Sequence, residues 1–249
     1  MRPLFDRPIA HRGLHDPSKG VIENSRSAFE AAIVSGYAIE CDVQLSSDGV
    51  PFIFHDDTFD RLTSAKGPSN GLPINEVVAL GLTGSSNGDT PQRFDAFLDQ
   101  VAGRTLLQIE LKHQADPRRS AMLASAVAKA LKSYVGPYTL ESFDPRLIAD
   151  LRRSGVTAPI GIVTYRYDDD SEGVGPIQAF ILRHLLHWPW TKFDFISSHD
   201  GSLDLPAIRF FRSRGMPVTA WTIRSAGAAR AALQAADQIV FEGFEPQSA

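Results

Sequence analysis

Three acidic residues embedded in apolar stretches are the first sign of chemistry: Glu40 and Asp42 in Ile39-Glu40-Cys41-Asp42-Val43, and Glu110 in Ile109-Glu110-Leu111-Lys112. Residues at i and i+2 of a strand share one face, so Glu40 sits with Asp42 and Glu110 with Lys112. If those faces meet, three buried carboxylates repel and raise each other's pKa unless a cation sits among them. An all-oxygen set with no thiol suits a hard ion, Mg²⁺ or Ca²⁺, better than zinc. Arg12, in His11-Arg12-Gly13, and Lys112 bring the positive charge that a phosphoryl group requires beside such a cation. His11 and His55 supply groups that exchange protons near neutral pH. The composite reads as metal-assisted phosphoryl transfer.

Each piece alone has a plainer reading. A carboxylate pair at i, i+2 is most often a solvated strand face, and Glu110 with Lys112 alone is a surface pair worth under about 1 kcal/mol. His11-Arg12-Gly13 alone is a turn. Their placement at the ends of successive strands is what chance does not supply. The other histidines read more simply: His184 and His187 fall in an amphipathic stretch that packs on the outside, and His15 and His113 are loop residues beside the site. His199 follows a strand and reaches the same region.

Positioning these residues falls to short β-branched or aromatic runs at 8–11, 37–45, 50–55, 105–112, 138–143, 159–165, 194–198, 217–222 and 238–242, alternating with helix-period segments at 24–35, 117–133, 144–154, 204–214 and 225–235. That rhythm is expected of repeated βα units, and about 250 residues is the usual size of a (β/α)8 TIM barrel. Nine strands are one too many for it. The surplus is 50–55, because only Ser46-Ser47-Asp48-Gly49 separates it from 37–45, and a connection that short makes an antiparallel hairpin rather than a parallel crossover. The expectation is an α/β fold: a single (β/α)8 domain over 1–249, with the hairpin strand near the catalytic mouth. Periodicity alone also admits an open, doubly wound sheet.

Composition narrows the function classes. The 249 residues carry 25 Lys and Arg against 29 Asp and Glu, a formal net charge of −4, with 43% hydrophobic residues. Without a basic stripe this is a poor nucleic-acid binder. The lone Cys41 excludes a disulfide scaffold or a thiolate metal cage. No stretch has the apolar core of a signal peptide or the length of a membrane span, so the expected protein is cytoplasmic and makes no stable membrane insertion. Oligomeric state is not readable from the sequence.

The chain resembles the glycerophosphodiester phosphodiesterases. The resemblance is carried by His11-Arg12-Gly13, Glu23-Asn24-Ser25 with Phe29, Ile39-Glu40-Cys41-Asp42-Val43, Asp48-Gly49 with Phe54-His55-Asp56, Ile109-Glu110-Leu111-Lys112, Ser142-Phe143-Asp144 and Ala220-Trp221-Thr222, in family order over nearly the whole chain. It implies a barrel enzyme that hydrolyses a small-molecule glycerophosphodiester to an alcohol and sn-glycerol 3-phosphate with one divalent cation, Mg²⁺ or Ca²⁺. It also implies Glu40, Asp42 and Glu110 as metal ligands, His11 and His55 as the acid/base pair, Arg12 and Lys112 as phosphate contacts and Trp221 as a wall for the glycerol. Asn24 reads as the N-cap of the helix through Phe29, with Glu23 left for the site.

Two stretches depart from the family pattern. Phe241-Glu242-Gly243-Phe244-Glu245-Pro246 replaces the usual Thr-Asp-x-Pro close, and Arg61 and Thr63 run into a Gly/Pro/Asn-rich loop at 66–71. Both bear on substrate preference more than on reaction type. Two competing readings remain: a phospholipase-like enzyme cleaving a lipid phosphodiester through a cyclic phosphate, with an apolar rim from Phe180 to Trp190, and a catalytically silent phosphate-binding barrel.

Overall fold

The computed structural model describes residues 5–168 and 174–246. Its strands are β1 (Ile9–Ala10), β2 (Ala38–Leu45), β3 (Pro51–Ile53), β4 (Leu107–Leu111), β5 (Tyr138–Ser142), β6 (Ile160–Thr164), β7 (Phe195–His199), β8 (Val218–Ile223) and β9 (Gln238–Phe241). Eight of them pair in parallel, and because β1 joins both β2 and β9 the sheet closes on itself. β3 alone is antiparallel, with Val43 opposite Ile53, and lies on the outer edge of β2. The closed barrel rules out the open sheet, and the short turn does make a hairpin. Its strand is shorter than the run 50–55, and Gly49 turns at φ +81°.

The helices are α1 (Arg26–Val34), α2 (Ile74–Val77), α3 (Phe94–Val101), α4 (Pro117–Leu131), α5 (Pro145–Arg153), α6 (Pro176–Arg183), α7 (Trp188–Thr191), α8 (Pro206–Arg212) and α9 (Ala226–Ala232). α4 and α5 begin at proline with Asp116 and Asp144 as side-chain caps, the arrangement that satisfies free N–H groups at a helix start. α2 and α3 were not expected from periodicity. α3 nonetheless buries Phe94, Phe97, Leu98 and Val101 at i, i+3, i+4 and i+7, the spacing of one helical face. In α6 only Leu182 is buried, so this stretch packs less tightly than its pattern suggests, while His187 just beyond it is buried against Thr191. None of the described helices is long and apolar enough to cross a membrane.

Every residue of β2 is buried, as expected for a parallel strand covered on both faces. The faces differ in kind. Ile39, Cys41, Val43 and Leu45, with Leu107, Ile109 and Leu111, join the core made with the helices; Glu40, Asp42, Gln108 and Glu110 alternate with them and face the barrel interior. A small apolar cluster of Phe5, Ile9, Ala38, Leu106, Phe195 and Val240 closes the interior at the N-terminal ends of the strands. A third cluster, Ile22 with Phe52, Phe54, Phe59, Leu62, Ile74, Val77 and Leu82, fixes the hairpin and the loop after it.

Candidate active site

The site is built where β1, β2 and β4 end. Asp42 pairs in register with Glu110 and Glu40 with Gln108, so adjacent strands present three carboxylates to the same space, and one oxygen from each of Glu40, Asp42 and Glu110 lies within 4.8 Å of the others. Lys112, one residue past β4, places Nζ 2.8 Å from Glu110 Oε1 and 3.3 Å from Asp42 Oδ1. Arg12 donates its backbone N–H to Glu40 Oε2 at 2.9 Å and brings Nε to 3.4 Å from Asp42 Oδ2. The three acids, Lys112 and Arg12 thus converge.

Backbone geometry at the start of the chain makes this possible. Arg12 and Asn24 adopt left-handed φ values of +55° and +54°, a conformation that costs a non-glycine residue of order 1 kcal/mol or more. Gly13 follows at φ +79°, and a Cβ there would meet the Ala28 backbone at 2.8 Å. The tight reversal lets the Asn24 N–H donate to Arg12 O at 2.8 Å.

Asn24 is not the helix cap: Ser25 takes that role, its side chain accepting from Ala28 N–H. Asn24 instead donates Nδ2–H to Asp42 Oδ2 at 2.8 Å and accepts the Asp42 N–H through Oδ1 at 3.3 Å. It holds a carboxylate of the cluster, which a short polar residue before a serine does not announce in sequence. Glu23 receives Arg12 Nη1 at 2.6 Å and both terminal nitrogens of Arg61 at 2.8 Å.

The cluster's charge is out of balance. Burial first, then the charges of Asp42, Glu110 and Glu141, push the Glu40 carboxyl well above its ordinary range. Burial also opposes ionisation of Asp42, but Lys112, His55 and Arg12 outweigh it and hold that carboxyl low. Lys112 is raised because Glu110 and Asp42 overcome its desolvation. Glu40 Oε1 is buried with no hydrogen-bond partner among the described residues. An unpaired buried oxygen in an all-carboxylate set fits a hard divalent cation.

Two histidines flank the cluster. Phe54 N–H donates to Asp42 O at 3.0 Å, so the hairpin does return the following residue, His55, to the level of Asp42. His55 Nδ1 is 2.8 Å from Asp56 Oδ1, and Arg61 holds both oxygens of Asp56 at 2.7 Å. His11 Nδ1 is 2.5 Å from Glu242 Oε2, and its Nε2 is 4.0 Å from Glu40 Oε2. Burial pulls the His11 pKa down, against the hydrogen bond that its ring makes to Glu242. The other side of the mouth is aromatic: Trp221 meets Phe143 at 5.6 Å and His199 at 5.2 Å, both edge-on. With Tyr165, Arg166 and Ser202 these rings line a cavity of about 430 Å³. Trp221 also packs against the apolar cluster of the barrel floor, so its ring serves core and mouth together.

His113 contacts Asp144, the α5 cap, at 2.9 Å, and His15 lies 3.7 Å from Glu242. Deeper in the barrel, fully buried Gln108 donates to Glu141 at 2.9 Å. Burial, then the Glu110 charge, raises the Glu141 carboxyl to about 8. Glu141 pairs in register with Glu110, a neighbour that only a correct strand alignment reveals.

A family model described as "Glycerophosphoryl diester phosphodiesterase family" matches residues 11–241. A glycerophosphodiester phosphodiesterase of Caldanaerobacter subterraneus subsp. tengcongensis is 42% identical over 73 residues, 29% of each chain. Glycerophosphodiester phosphodiesterase 1 of Rattus norvegicus is 39% identical over 74 residues, 29% of this chain and 21% of that one. These alignments therefore span under a third of the curated relatives' length. Among solved structures, an Oleispira antarctica phosphodiesterase in complex with the product sn-glycerol-3-phosphate superposes with a TM-score of 0.77 at 21% identity, covering 94% of this chain and 91% of the other. A Thermotoga maritima glycerophosphodiester phosphodiesterase gives 0.70 at 22%, covering 94% and 92%. With a family match over nearly its whole length and the family's barrel, this chain belongs to the glycerophosphoryl diester phosphodiesterase family.

Proposed function

We propose that the chain acts as one domain that hydrolyses a glycerophosphodiester to an alcohol and sn-glycerol 3-phosphate. The observation that carries this is the convergence of Glu40, Asp42 and Glu110 with Lys112 and Arg12 at the barrel mouth. Glu40, Asp42 and Glu110 would hold one divalent cation, Mg²⁺ or Ca²⁺, which when bound polarises a phosphoryl oxygen and stabilises charge there. Arg12 and Lys112 bind the phosphate as cations. His11 and His55 flank it as the proton-transfer pair: His11 takes a proton from the attacking water, the new P–O bond forms, and His55 gives a proton to the alcohol oxygen as its bond to phosphorus breaks. Trp221 and Phe143 offer flat walls to the glycerol. A cytoplasmic setting is part of the same proposal, in keeping with the single, buried, unpaired Cys41.

The product seen with the Oleispira antarctica phosphodiesterase is the one this reaction would leave. The silent-barrel reading has little to recommend it with both histidines and all three acids in place. Exposed Phe180 and Trp190 support a second reading, cleavage of a lipid phosphodiester at a membrane surface. Release of glycerol 3-phosphate from soluble glycerophosphocholine, lost with chelator and restored by Mg²⁺ or Ca²⁺, is the result expected of the first reading. Activity only on lipid vesicles, with a cyclic phosphate as product, would replace it with the second.

A further inference from the structure

β1 and β9 are neighbours in the barrel wall, with Ala10 opposite Phe241, and the His11 N–H donates to Phe241 O at 2.9 Å. Residues 11 and 242 therefore leave the wall side by side. His11 directs Nδ1 at Glu242 Oε2, 2.5 Å away, while its Nε2 faces the carboxylate cluster, 4.0 Å from Glu40. The other oxygen of Glu242 is taken by Arg224, Nε at 2.9 Å and Nη2 at 2.7 Å, from the residue just past β8. Three strand ends thus meet on one carboxylate.

The geometry points to Glu242 as a positioning residue for the reaction proposed above, on which this inference rests: it accepts the His11 Nδ1–H, fixes that tautomer, and leaves the Nε2 lone pair aimed at the phosphate side. A general base must offer a lone pair toward the proton it removes, and which ring nitrogen is free is set by the hydrogen bond the other one makes. The requirement is not trivial, because an imidazole free in water favours the opposite tautomer, with the proton on Nε2. Glu242 can fill the role only as an acceptor. The hydrogen bond from His11, with His15 and Arg224 close by, holds its carboxyl far below the ordinary range, so it is ionised and has no proton to donate. Arg224 keeps it turned toward the seam.

His15 is the competing partner. Its ring nitrogens are buried and have no hydrogen-bond partner among the described residues, and Nε2 stands 3.7 Å from the same Glu242 oxygen. That distance is beyond a hydrogen bond, whereas the His11 contact is short.

The test uses full-length protein labelled with ¹⁵N-histidine, with His11→Gln to assign the His11 signals. Expected in the wild type is an Nδ1–H, Nε2-unprotonated His11. Glu242→Ala should shift His11 toward the Nε2–H form and lower kcat on glycerophosphocholine about 10²-fold, with KM within about threefold. Glu242→Gln, which keeps the shape and an acceptor oxygen, should retain the tautomer and lose less activity. His15→Gln should leave the His11 signals where they are. An unchanged His11 tautomer in Glu242→Ala, or kcat within about threefold of wild type, overturns the role; so does a His11 signal that moves with His15→Gln. The nitrogen spectra need no turnover, so a wild type inactive on every glycerophosphodiester would defeat the proposed reaction while still deciding what Glu242 does to His11.

Discussion

The two sides of the barrel mouth are made of different material. β1, β2, β4 and the hairpin end in charge: His11, Arg12, Glu40, Asp42, Glu110 and Lys112, tied to one another by ion pairs and a hydrogen bond, and His55, held by Asp56. β5 to β8 lead into rings instead, with Phe143, Tyr165, His199 and Trp221 around one cavity. Buried charges are costly without partners, and that side is accordingly cross-linked by ion pairs and hydrogen bonds at most of its charges. The ring side needs only contact area. Under the proposed function, chemistry falls to the one side and recognition of the apolar parts of a substrate to the other.

Substitutions on each side test that division. The largest effect is expected at the histidines. His55→Ala should cost about 10²–10⁴-fold on glycerophosphocholine but far less on an aryl phosphodiester, whose leaving group departs without a proton, while His11→Ala should damage both. Equal losses on the two substrates for both variants would undo the assignment of acid and base. Glu110→Gln removes a charge from the cluster while keeping its shape. Turnover and calorimetric metal affinity should fall together, by about 10²-fold, as for loss of a strong electrostatic contact; normal metal binding at the wild-type rate would mean the ligand set is wrong.

On the ring side, Trp221→Ala should raise KM about tenfold, a typical cost for lost apolar contact in a binding pocket, with kcat nearly unchanged and the protein folded. A loss of kcat matching that of Glu110→Gln would erase the division. A collapse of melting temperature with KM unaltered would make Trp221 a core residue only. The smallest effect is on acid stability. Burial would raise the Glu23 carboxyl, but Arg61 and Arg12 outweigh it and hold it at about 2. Its folded pKa lies below the unfolded value of about 4.3, so its contribution is complete above that value and is lost as pH falls toward about 2. Urea midpoints measured at pH 6 and pH 3 should drop less in Arg61→Gln than in the wild type. An equal drop would show that this ion pair carries none of the acid sensitivity.

Much of the charged side could be read from sequence, because a carboxylate inside an apolar strand is conspicuous and its i, i+2 spacing states which face it shares. The hairpin was equally legible: four residues cannot cross over a barrel. What escaped were relations between distant residues. Nothing local distinguishes Asn24 as the clamp on Asp42 from Asn24 as a cap. Glu242 looked only like a departure from a familiar ending until the pairing of β1 with β9 set it beside His11. Glu141 reads as one more strand residue, and its neighbour Glu110 emerges only from the register of β4 and β5. The α3 face was present in the spacing of its apolar residues and was masked by the loop-like sequence before it.

The seam where the barrel closes has a consequence for folding. β1 contributes only two residues to the wall, yet it joins the start of the chain to its end, and the contact between His11 and Glu242 spans 231 residues. The entropy lost in closing a loop grows with its length, so this pairing is among the costliest to bring together and has few backbone hydrogen bonds to hold it. Contacts of such long range also slow folding. The contact between His11 and Glu242 is therefore made by the same event that turns a curved sheet into a cylinder, and opening that joint would part the two residues while leaving most of the surrounding helix-packed core untouched.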